Sequence, residues 1–323
     1  MSGPRISVII PTFNRATLVP RAVDSVLAQD WRPLELVLVD DGSTDDTPEV
    51  IAGLAGKVIA AGGEAVCLRQ SNAGDAAARN AGLHAATGEW IAFADDDDTW
   101  RAGRLTDQMV ALSQTGAAAC CGLLAVGEST KPASAGRLLD GRCGSAFLRG
   151  EQSAAITSLL VHTDSVQAVG DFDPTLRVGS DMEWIARLAH AAEFCNLPRI
   201  VAEYNQTPVA LSRYSGLAEL LERDQYDLRT VDLIRERCQS RSGFDPDAWA
   251  VFAARTYDRC VKHLLYAGEL VRAEQLLQAG FGKGADAALL RSTRRKLRKA
   301  RLLALVGRRL QHPKFRNVAD VHG

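Results

Sequence analysis

The sequence lacks the signatures of several large protein classes. No G-x-G-x-x-G follows a predicted strand and no G-x-x-x-x-G-K-[ST] occurs, which argues against a dinucleotide oxidoreductase and a P-loop nucleotide hydrolase. No apolar run approaches the roughly 18 residues of a transmembrane helix, and no signal-peptide pattern opens the chain. The seven cysteines include no C-x-x-C pair, so we expect reduced, buried thiols in a cytoplasmic protein.

The composition is that of a soluble globular protein, but the charge is unevenly distributed. Of the 323 residues, 46% are hydrophobic and 24% are charged, and the net charge of −1 gives no general attraction to nucleic acid. Residues 287–319 contain 11 Lys and Arg and no Asp or Glu. The remainder has 27 basic and 39 acidic residues. The chain therefore combines an acidic body with a basic tail.

Strand and helix patterns alternate through the first hundred residues. Short apolar runs predict buried strands at 6–10, 34–39, 65–68 and 90–94. Segments with helical spacing of apolar residues separate these strands. This alternation predicts a doubly wound, mostly parallel α/β sheet.

Polar clusters follow three of the four predicted strands, at Thr12–Asn14, Asp40–Ser43 and Asp95–Asp98. Crossovers of one hand place these strand ends at the same edge of the sheet, where such sheets bind ligands. We therefore expect the three clusters to meet in one cleft. If the aspartate run is extended, Asp95 and Asp97 point to one face and Asp96 and Asp98 to the other.

Four consecutive carboxylates favour a bound cation. Two carboxylates about 6 Å apart repel each other by about 3 kcal/mol at an effective dielectric constant near 20. A site with only oxygen ligands suits Mg²⁺ or Mn²⁺. A solvated acidic turn that caps the next helix is the structural alternative, and the convergence of the three clusters favours the cation site.

Six motifs in order carry a resemblance to a known family. They are ISVIIPTFNR, LVLVDDGSTDDT, NAGDAAARNAG, GEWIAFADDDDTW, TSLLVHTDSVQAVGDFDP and GSDMEWIARL. Together they resemble the family 2 inverting glycosyltransferases of the GT-A fold, which are Rossmann-like, over about residues 5–214. The resemblance implies a nucleoside-diphosphate sugar donor, with a UDP-sugar as the leading candidate, and a divalent metal.

The resemblance also implies roles for individual residues. It places Thr12 and Asp41 at the base or ribose, with Asp41 accepting a hydrogen bond from the uracil N–H. It reads residues 95–97 as the D-x-D element and makes Asp97, with Asp95, the ligand of Mg²⁺ or Mn²⁺; the run of four aspartates leaves Asp96 as an alternative register. The predicted nucleotide-sugar residues are Pro11, Thr12, Asn14, Asp40, Asp41, Asn72, Gly74, Arg79, Asp95 and Asp96.

The resemblance places the catalytic base at Asp181. Ser180 and Glu183 have the spacing of a helix capping box, so Asp181 lies at the first helical position. The structural alternative for Asp181 is stabilisation of the helix dipole. Many family members have Glu-Asp where this chain has Ser180-Asp181. Asp181 is then the only carboxylate placed to take the proton, unless Glu183 turns inward.

The chain beyond the sheet is predicted to be helical. We expect a glycosyltransferase domain at 1–214, with its nucleotide-sugar half at about 1–100 and its acceptor half at about 101–214. A C-terminal helical region follows at 215–323. Its helix pair, broken near Ala267-Gly268, is either a cap on the catalytic domain or a single tetratricopeptide-type hairpin.

Two segments outside the motifs have candidate roles. Residues 127–144 are expected to form a long loop, and Arg213 is a candidate for contact with the diphosphate. The tail at about 287–319 is predicted to be a basic amphipathic helix, with Leu297, Leu303, Val306 and Leu310 on one stripe. It can lie on an anionic bilayer or dock on the chain's own acidic body.

The sequence thus predicts a metal-dependent inverting hexosyltransferase of glycan, cell-surface polysaccharide or glycoconjugate synthesis. The acceptor would be a hydroxyl of a glycan, a lipid-linked glycan or a peptide. The expected location is the cytoplasm, with the basic tail able to reach the inner face of the membrane. The alternatives are an inactive glycosyltransferase-like binding protein and a peptide or natural-product glycosyltransferase. A nucleotidyltransferase would need a glycine-rich turn after its first strand, and PTFNR has none.

Overall fold

The computed structural model describes residues 2–127, 129, 131–132, 140–152, 154–205 and 216–313. The chain divides into two compact units, Met1–Thr207 with Ser240–Gly243 and Pro208–Gln239 with Phe244–Gly323. Half of the predicted loop at 127–144 lies outside the described residues, as do Arg213 and the tail beyond 313. The predicted domain boundary at 214 lies there too, and it stays a prediction.

The first unit is an α/β unit built on one sheet. Its elements are β1 (Ser2–Thr12), α1 (Val19–Leu27), β2 (Arg32–Asp40), α2 (Thr47–Ala60), β3 (Glu64–Arg69), α3 (Asp75–Ala85), β4 (Trp90–Phe93), β5 (Thr99–Trp100), α4 (Arg104–Thr115), β6 (Ala119–Val126), α5 (Gly144–Leu148), β7 (Leu159–His162), α6 (Thr163–Val169), α7 (Ser180–Ala191) and β8 (Phe194–Tyr204). The sheet has eight strands in the order β3-β2-β1-β4-β7-β6-β8-β5.

The pairing of the strands confirms the predicted fold class. The first four strands are parallel neighbours, with β1 between β2 and β4. Strand β7 pairs antiparallel with β4 and β6, and β6 pairs parallel with β8. Residues 6–10 of β1 are fully buried because helices cover both faces of the sheet.

The two faces of the sheet are covered in different ways. Apolar side chains of α1, α2 and α4 form one core with the central strands. On the other face, Gly82 of α3 lies against Ile9 of β1. The aromatic rings of Phe93, Phe172 and Trp184 pack together there, with centroids 4.8 to 5.7 Å apart. All seven cysteines are free thiols, and all except Cys67 are buried.

The second unit consists of helices in its described part. They are α8 (Leu217–Cys238), α9 (Pro246–Ala267), α10 (Leu270–Gly282) and α11 (Ala287–Leu305). The break between α9 and α10 lies at Gly268, which has a φ of +80°, so the predicted break near this residue is correct. None of the described helices combines the length and apolarity needed to cross a bilayer.

The basic helix differs from its prediction in both its ends and its buried stripe. Asp286 caps the N-terminus by accepting from the backbone N–H groups of residues 288 and 289, and the helix ends at Leu305 before Gly307, whose φ is +67°. Val306 and Leu310 therefore lie beyond the helix, and the predicted stripe is wrong at these two positions. The residues that are buried on α11 are Leu290, Thr293, Leu297 and Ala300.

We predict that Gly82→Ala destabilises the first unit by about 1–3 kcal/mol, because an added Cβ overpacks the contact between α3 and β1. An ideal Cβ at Gly82 would lie 2.4 Å from Ile9 Cγ2. The measurement is denaturant unfolding. The matched control is Gly53→Ala in α2, where nothing lies within 4 Å of an added Cβ. Its free energy of unfolding should increase by about 0.5–1 kcal/mol. Equal effects of the two changes would contradict the packing argument.

Candidate active site

The register of the parallel strands aligns the ends that carry polar residues. Thr12 of β1 pairs with Asp40 of β2, and Asp40 pairs with Arg69 of β3. The backbone N–H of Ala94 donates to Ile9 O at 3.0 Å, so Asp95 follows level with the last residues of β1. The predicted convergence of the three polar clusters at one edge of the sheet is present in the structure.

The four aspartates form a turn, and the predicted alternation of their side chains is wrong. Strand β4 ends at Phe93, and the backbone N–H of Asp98 donates to Asp95 O at 3.1 Å. This is the hydrogen bond that closes a four-residue β-turn. Each of the four carboxylates therefore has its own surroundings.

Asp95 belongs to a charged cluster that contains the predicted base. Arg79 of α3 donates to Asp95 Oδ1 at 2.8 Å and also pairs with Asp75, one turn earlier on the helix. Burial acts to lower the pKa of Arg79, but Asp75, Asp95 and Asp181 outweigh it and raise that pKa. Asp181 is thus close enough to act electrostatically on Arg79 and Asp75.

The same cluster shifts the pKa of Asp75. Withdrawal of the carboxyl from water raises the pKa of Asp75 to about 6; Arg79 opposes this shift, and Asp95 and Asp181 add to it. The side chain of Asp75 is 35% exposed, so solvent screens part of this shift in pKa. Asp95 of the acidic turn and Asp181 at the start of α7 therefore act electrostatically on the same two side chains, Asp75 and Arg79.

The other three aspartates of the turn face the end of β1 and the end of β8. Asp96 Oδ2 accepts a hydrogen bond from the Thr12 hydroxyl at 2.6 Å. Asp97 Oδ2 lies 3.7 Å from Arg15 Nη1. Asp98 is buried and accepts from the backbone N–H of Asn205 at 3.2 Å.

Burial and repulsion by neighbouring carboxylates raise the pKa values of Asp96 and Asp98. Burial, with added repulsion from Asp97 and Asp95, raises the pKa of Asp96 to about 7, although Thr12 and Arg15 oppose the shift. Burial and the charges of Asp95 and Asp97 also raise the pKa of Asp98. A cation at the turn would stabilise the ionised forms.

The residues of the turn fit a divalent metal. All the donors are carboxylate oxygens, and in the part of the chain that the structure describes no group forms a hydrogen bond with the buried Asp98 Oδ2. Within the described ranges no group of three or more His, Cys, Asp and Glu side chains forms a ready-made cage. Mg²⁺ is commonly held by one or two carboxylates together with substrate phosphates, and that is the arrangement which these residues suit.

The aspartates at the end of β2 organise the neighbouring loop. Asp41 Oδ1 accepts from the Gln70 side chain and the Ala73 N–H, and its Oδ2 accepts from the Gly74 N–H, all at 2.7 to 2.9 Å. One acceptor site of Oδ2 remains for a ligand. Asp40 accepts from the Ser43 N–H at 2.9 Å and lies 3.2 Å from Arg69 Nε.

The remaining predicted nucleotide residues surround this loop. Pro11 is buried in β1. Asn14, with a φ of +54°, accepts from the Thr44 N–H at 2.8 Å. Asn72 is exposed beside Gly42, where an added Cβ would lie 2.7 Å from Asn72 N. The structure therefore brings the loops after β1, β2 and β3 together at one edge of the sheet.

The start of α7 differs from the predicted capping box. Gly179, with a φ of +82°, is the N-cap residue, and no side chain caps the helix. Glu183 is fully buried and forms two hydrogen bonds of 2.8 and 2.9 Å with Arg187. Asp181 is half-buried, and its Oδ1 accepts from the Met182 N–H at 2.8 Å. Glu183 does turn inward, but toward Arg187.

Three residues of the site have no role assigned from the sequence. Arg15 and Asp75 lie within quoted motifs but received no role, and Asn205 lies beyond them. A signal for Asp75 was available, because Asp75 and Arg79 have the i, i+4 spacing of a helical ion pair. Asn205 had no local signal, since its contact with Asp98 joins residues more than a hundred positions apart.

Comparison with known proteins identifies the family of the first unit. Residues 7–157 match the profile described as "Glycosyl transferase family 2". The chain carries a family 2 glycosyltransferase domain. This domain contains the acidic turn and every predicted nucleotide-sugar residue, whereas Asp181 lies beyond the matched range.

Curated glycosyltransferases are similar to about a third of the chain. An uncharacterized glycosyltransferase of Nostoc is 44% identical over 111 residues, which is 34% of this chain and 33% of that protein. The GalNAc(5)-diNAcBac-PP-undecaprenol beta-1,3-glucosyltransferase of Campylobacter jejuni is 38% identical over 107 residues, 33% and 34% of the two chains. The matched region thus spans about a third of these relatives.

Two solved glycosyltransferase structures share the fold. S. aureus TarS 1–349 in complex with UDP-GlcNAc has a TM-score of 0.66 at 17% identity, over 91% of this chain and 92% of that one. The mannosyltransferase PcManGT from Pyrobaculum calidifontis, in complex with GDP-Man and Mn²⁺, has a TM-score of 0.59 at 20% identity, over 94% and 87%. These similarities establish a GT-A-type fold.

We predict that Glu183→Ala destabilises the domain by about 3–5 kcal/mol, because it leaves the buried guanidinium of Arg187 without its carboxylate. Loss of a capping interaction would cost only about 0.5–2 kcal/mol. The measurement is the free energy of unfolding in denaturant. The control is Ser180→Ala, which removes no capping hydrogen bond and should cost less than about 1 kcal/mol. Similar losses of unfolding free energy in the two variants would favour the capping box over the buried ion pair.

Proposed function

We propose that the protein is a metal-dependent inverting glycosyltransferase that transfers a sugar from a nucleoside-diphosphate sugar, preferably a UDP-sugar, to an acceptor hydroxyl. The observation that carries the proposal is the charged cluster around Arg79. It connects the acidic turn after β4, through Asp95, with Asp181 at the start of α7. The proposed donor-binding group and the proposed proton acceptor would therefore share one site.

The nucleotide would bind across the ends of β1, β2 and β3. Thr12 and Asp41 are assigned to the base and ribose. The open acceptor site of Asp41 Oδ2 is available to a ring N–H, since the other bonds of this carboxylate hold the loop at residues 70–74 in place. The exposed Asn72 and the half-buried Gly74 border the same region.

The diphosphate would lie against the acidic turn. Mg²⁺ or Mn²⁺ held by Asp97 and Asp95 would neutralise the charge that develops on the leaving group. Asp97 Oδ2 lies 3.7 Å from Arg15 Nη1, whereas Asp96 Oδ2 is engaged by the Thr12 hydroxyl at 2.6 Å, and this difference favours Asp97 as the ligand. Arg79 adds a permanent positive charge beside Asp95.

Asp181 would act as the general base. Its carboxylate takes the proton of the acceptor hydroxyl as that oxygen forms a bond to the anomeric carbon. The bond between this carbon and the diphosphate breaks on the opposite face, so the configuration inverts in one displacement. Arg79 and Asp75 set the charge around Asp181, and the buried ion pair of Glu183 and Arg187 fixes the helix that carries it.

The acceptor is proposed to be a glycan, in cell-surface polysaccharide or glycoconjugate synthesis. The support comes from relatives whose names specify such products. One is the GalNAc(5)-diNAcBac-PP-undecaprenol beta-1,3-glucosyltransferase of Campylobacter jejuni. Another is the succinoglycan biosynthesis protein ExoO of Rhizobium meliloti, which is 38% identical over 102 residues. The proposed location is the cytoplasmic side of the membrane.

We predict that Asp181→Asn lowers turnover by about 10²–10⁴-fold, because the amide is unable to accept the hydroxyl proton. Donor binding, measured by calorimetry with Mn²⁺, should stay unchanged. The matched control is Asp164→Asn, an aspartate on α6 whose side chain is 86% exposed, and it should transfer sugar at the normal rate. Normal turnover of Asp181→Asn would refute the assignment of the base.

We predict that Asp97→Ala abolishes the gain in donor affinity that Mn²⁺ confers, because the metal loses its carboxylate ligand. The measurement is calorimetric titration of a UDP-sugar with Mn²⁺ and again with a chelator. The affinity measured with the chelator should be similar for the variant and the wild type. If Asp96→Ala removes the Mn²⁺ effect and Asp97→Ala keeps it, the alternative register of the D-x-D element is correct.

A further inference from the structure

Helix α11 packs on the other helices of the second unit through one face. Leu290, Leu297 and Ala300 are buried where α11 packs on α9 and α10. The hydroxyl of Thr293 donates to Asp258 of α9, which fixes the rotation of the helix. This anchoring determines which side chains of α11 point away from the unit.

The outward face of α11 carries a row of cations, which we call the cationic face. At about 100° of rotation per residue, its residues lie opposite the buried stripe, except Arg294, which lies beside it. They are Arg291, Arg294, Arg295, Arg298 and Lys299, all exposed. Among the residues that the structure describes, none of these five forms an ion pair with a carboxylate. Arg301, nearer the buried side, pairs with Glu274.

Exposed apolar side chains come directly after the cationic face in the sequence. Leu302 is 66% exposed, Leu305 is 83% exposed and Val306 is 68% exposed. The helical rotation places Leu302 and Leu305 on the same side as the five cations. Three large apolar residues exposed within five positions are unusual on a soluble surface, which tolerates them singly.

We propose that this face of α11 docks on an anionic bilayer, with the cations at the lipid headgroups and Leu302, Leu305 and Val306 in the acyl boundary. The charge is complementary to acidic lipids, and arginine and lysine stems bury their methylene groups while their charged ends remain in water. A soluble polyanion would satisfy the cations but would leave the three apolar side chains in water. The proposal is independent of the transferase activity.

The experiment is flotation of the full chain with vesicles. We expect binding to phosphatidylcholine vesicles that contain phosphatidylglycerol, little binding to phosphatidylcholine alone, and a decrease with added salt. Arg295→Gln with Arg298→Gln should weaken binding by about 25-fold, since each cation near the surface contributes about fivefold. Leu302→Gln with Leu305→Gln should weaken it by at least about tenfold.

A charge-matched control separates this face from net charge. Arg21→Gln with Arg142→Gln removes two exposed cations from the first unit, and vesicle binding should be unchanged. Circular dichroism and thermal unfolding check that each variant is folded.

Three results would overturn the proposal. They are no flotation of the wild type at low salt, equal losses in the control and in Arg295→Gln with Arg298→Gln, and normal binding by the leucine variant. The last result would indicate that the cationic face adsorbs electrostatically and that the apolar side chains do not enter the bilayer.

Discussion

Repulsion among carboxylates is the constraint on which the site depends. Asp95, Asp96, Asp97 and Asp98 occupy one turn, and Asp75 and Asp181 add their charges through the cluster around Arg79. At an effective dielectric constant near 20, each pair of neighbours costs about 3 kcal/mol at 6 Å. Arg79 and Arg15 offset part of this cost. Burial, together with the repulsion that remains, raises the pKa values of Asp75, Asp96 and Asp98, and a metal bound with a diphosphate would offset both effects.

The sheet is what forces these charges together. Parallel register places the ends of β1, β2 and β3 level with one another, and β4 ends beside β1. Close approaches then bring the connecting loops together, such as Gly42 against Asn72. The stability of the buried strands therefore holds the carboxylates in a repulsive arrangement that an isolated peptide would avoid. Such local conflict within a stable scaffold is typical of functional sites.

The sequence predicts what depends on periodicity and order along the chain. Buried strands, alternating helices and the convergence of Thr12, Asp41 and the aspartate run all follow from local patterns. Side-chain partners do not. The spacing of Ser180 and Glu183 fits a capping box, while the spacing of Glu183 and Arg187 fits an ion pair, and burial at 0% exposure decides for the ion pair. The orientation of the four aspartates depends on Thr12, Arg79 and Asn205, which are distant in sequence, so an alternation rule fails there.

Charge separation between the acidic body and α11 has a physical consequence at a membrane. The chain outside 287–319 has 27 basic against 39 acidic residues, and an anionic bilayer repels it. The cationic face attracts the same bilayer. Both effects decay over about 8 Å at physiological ionic strength, so only groups near the bilayer surface would contribute, and the proposed docking would use α11 rather than the acidic turn.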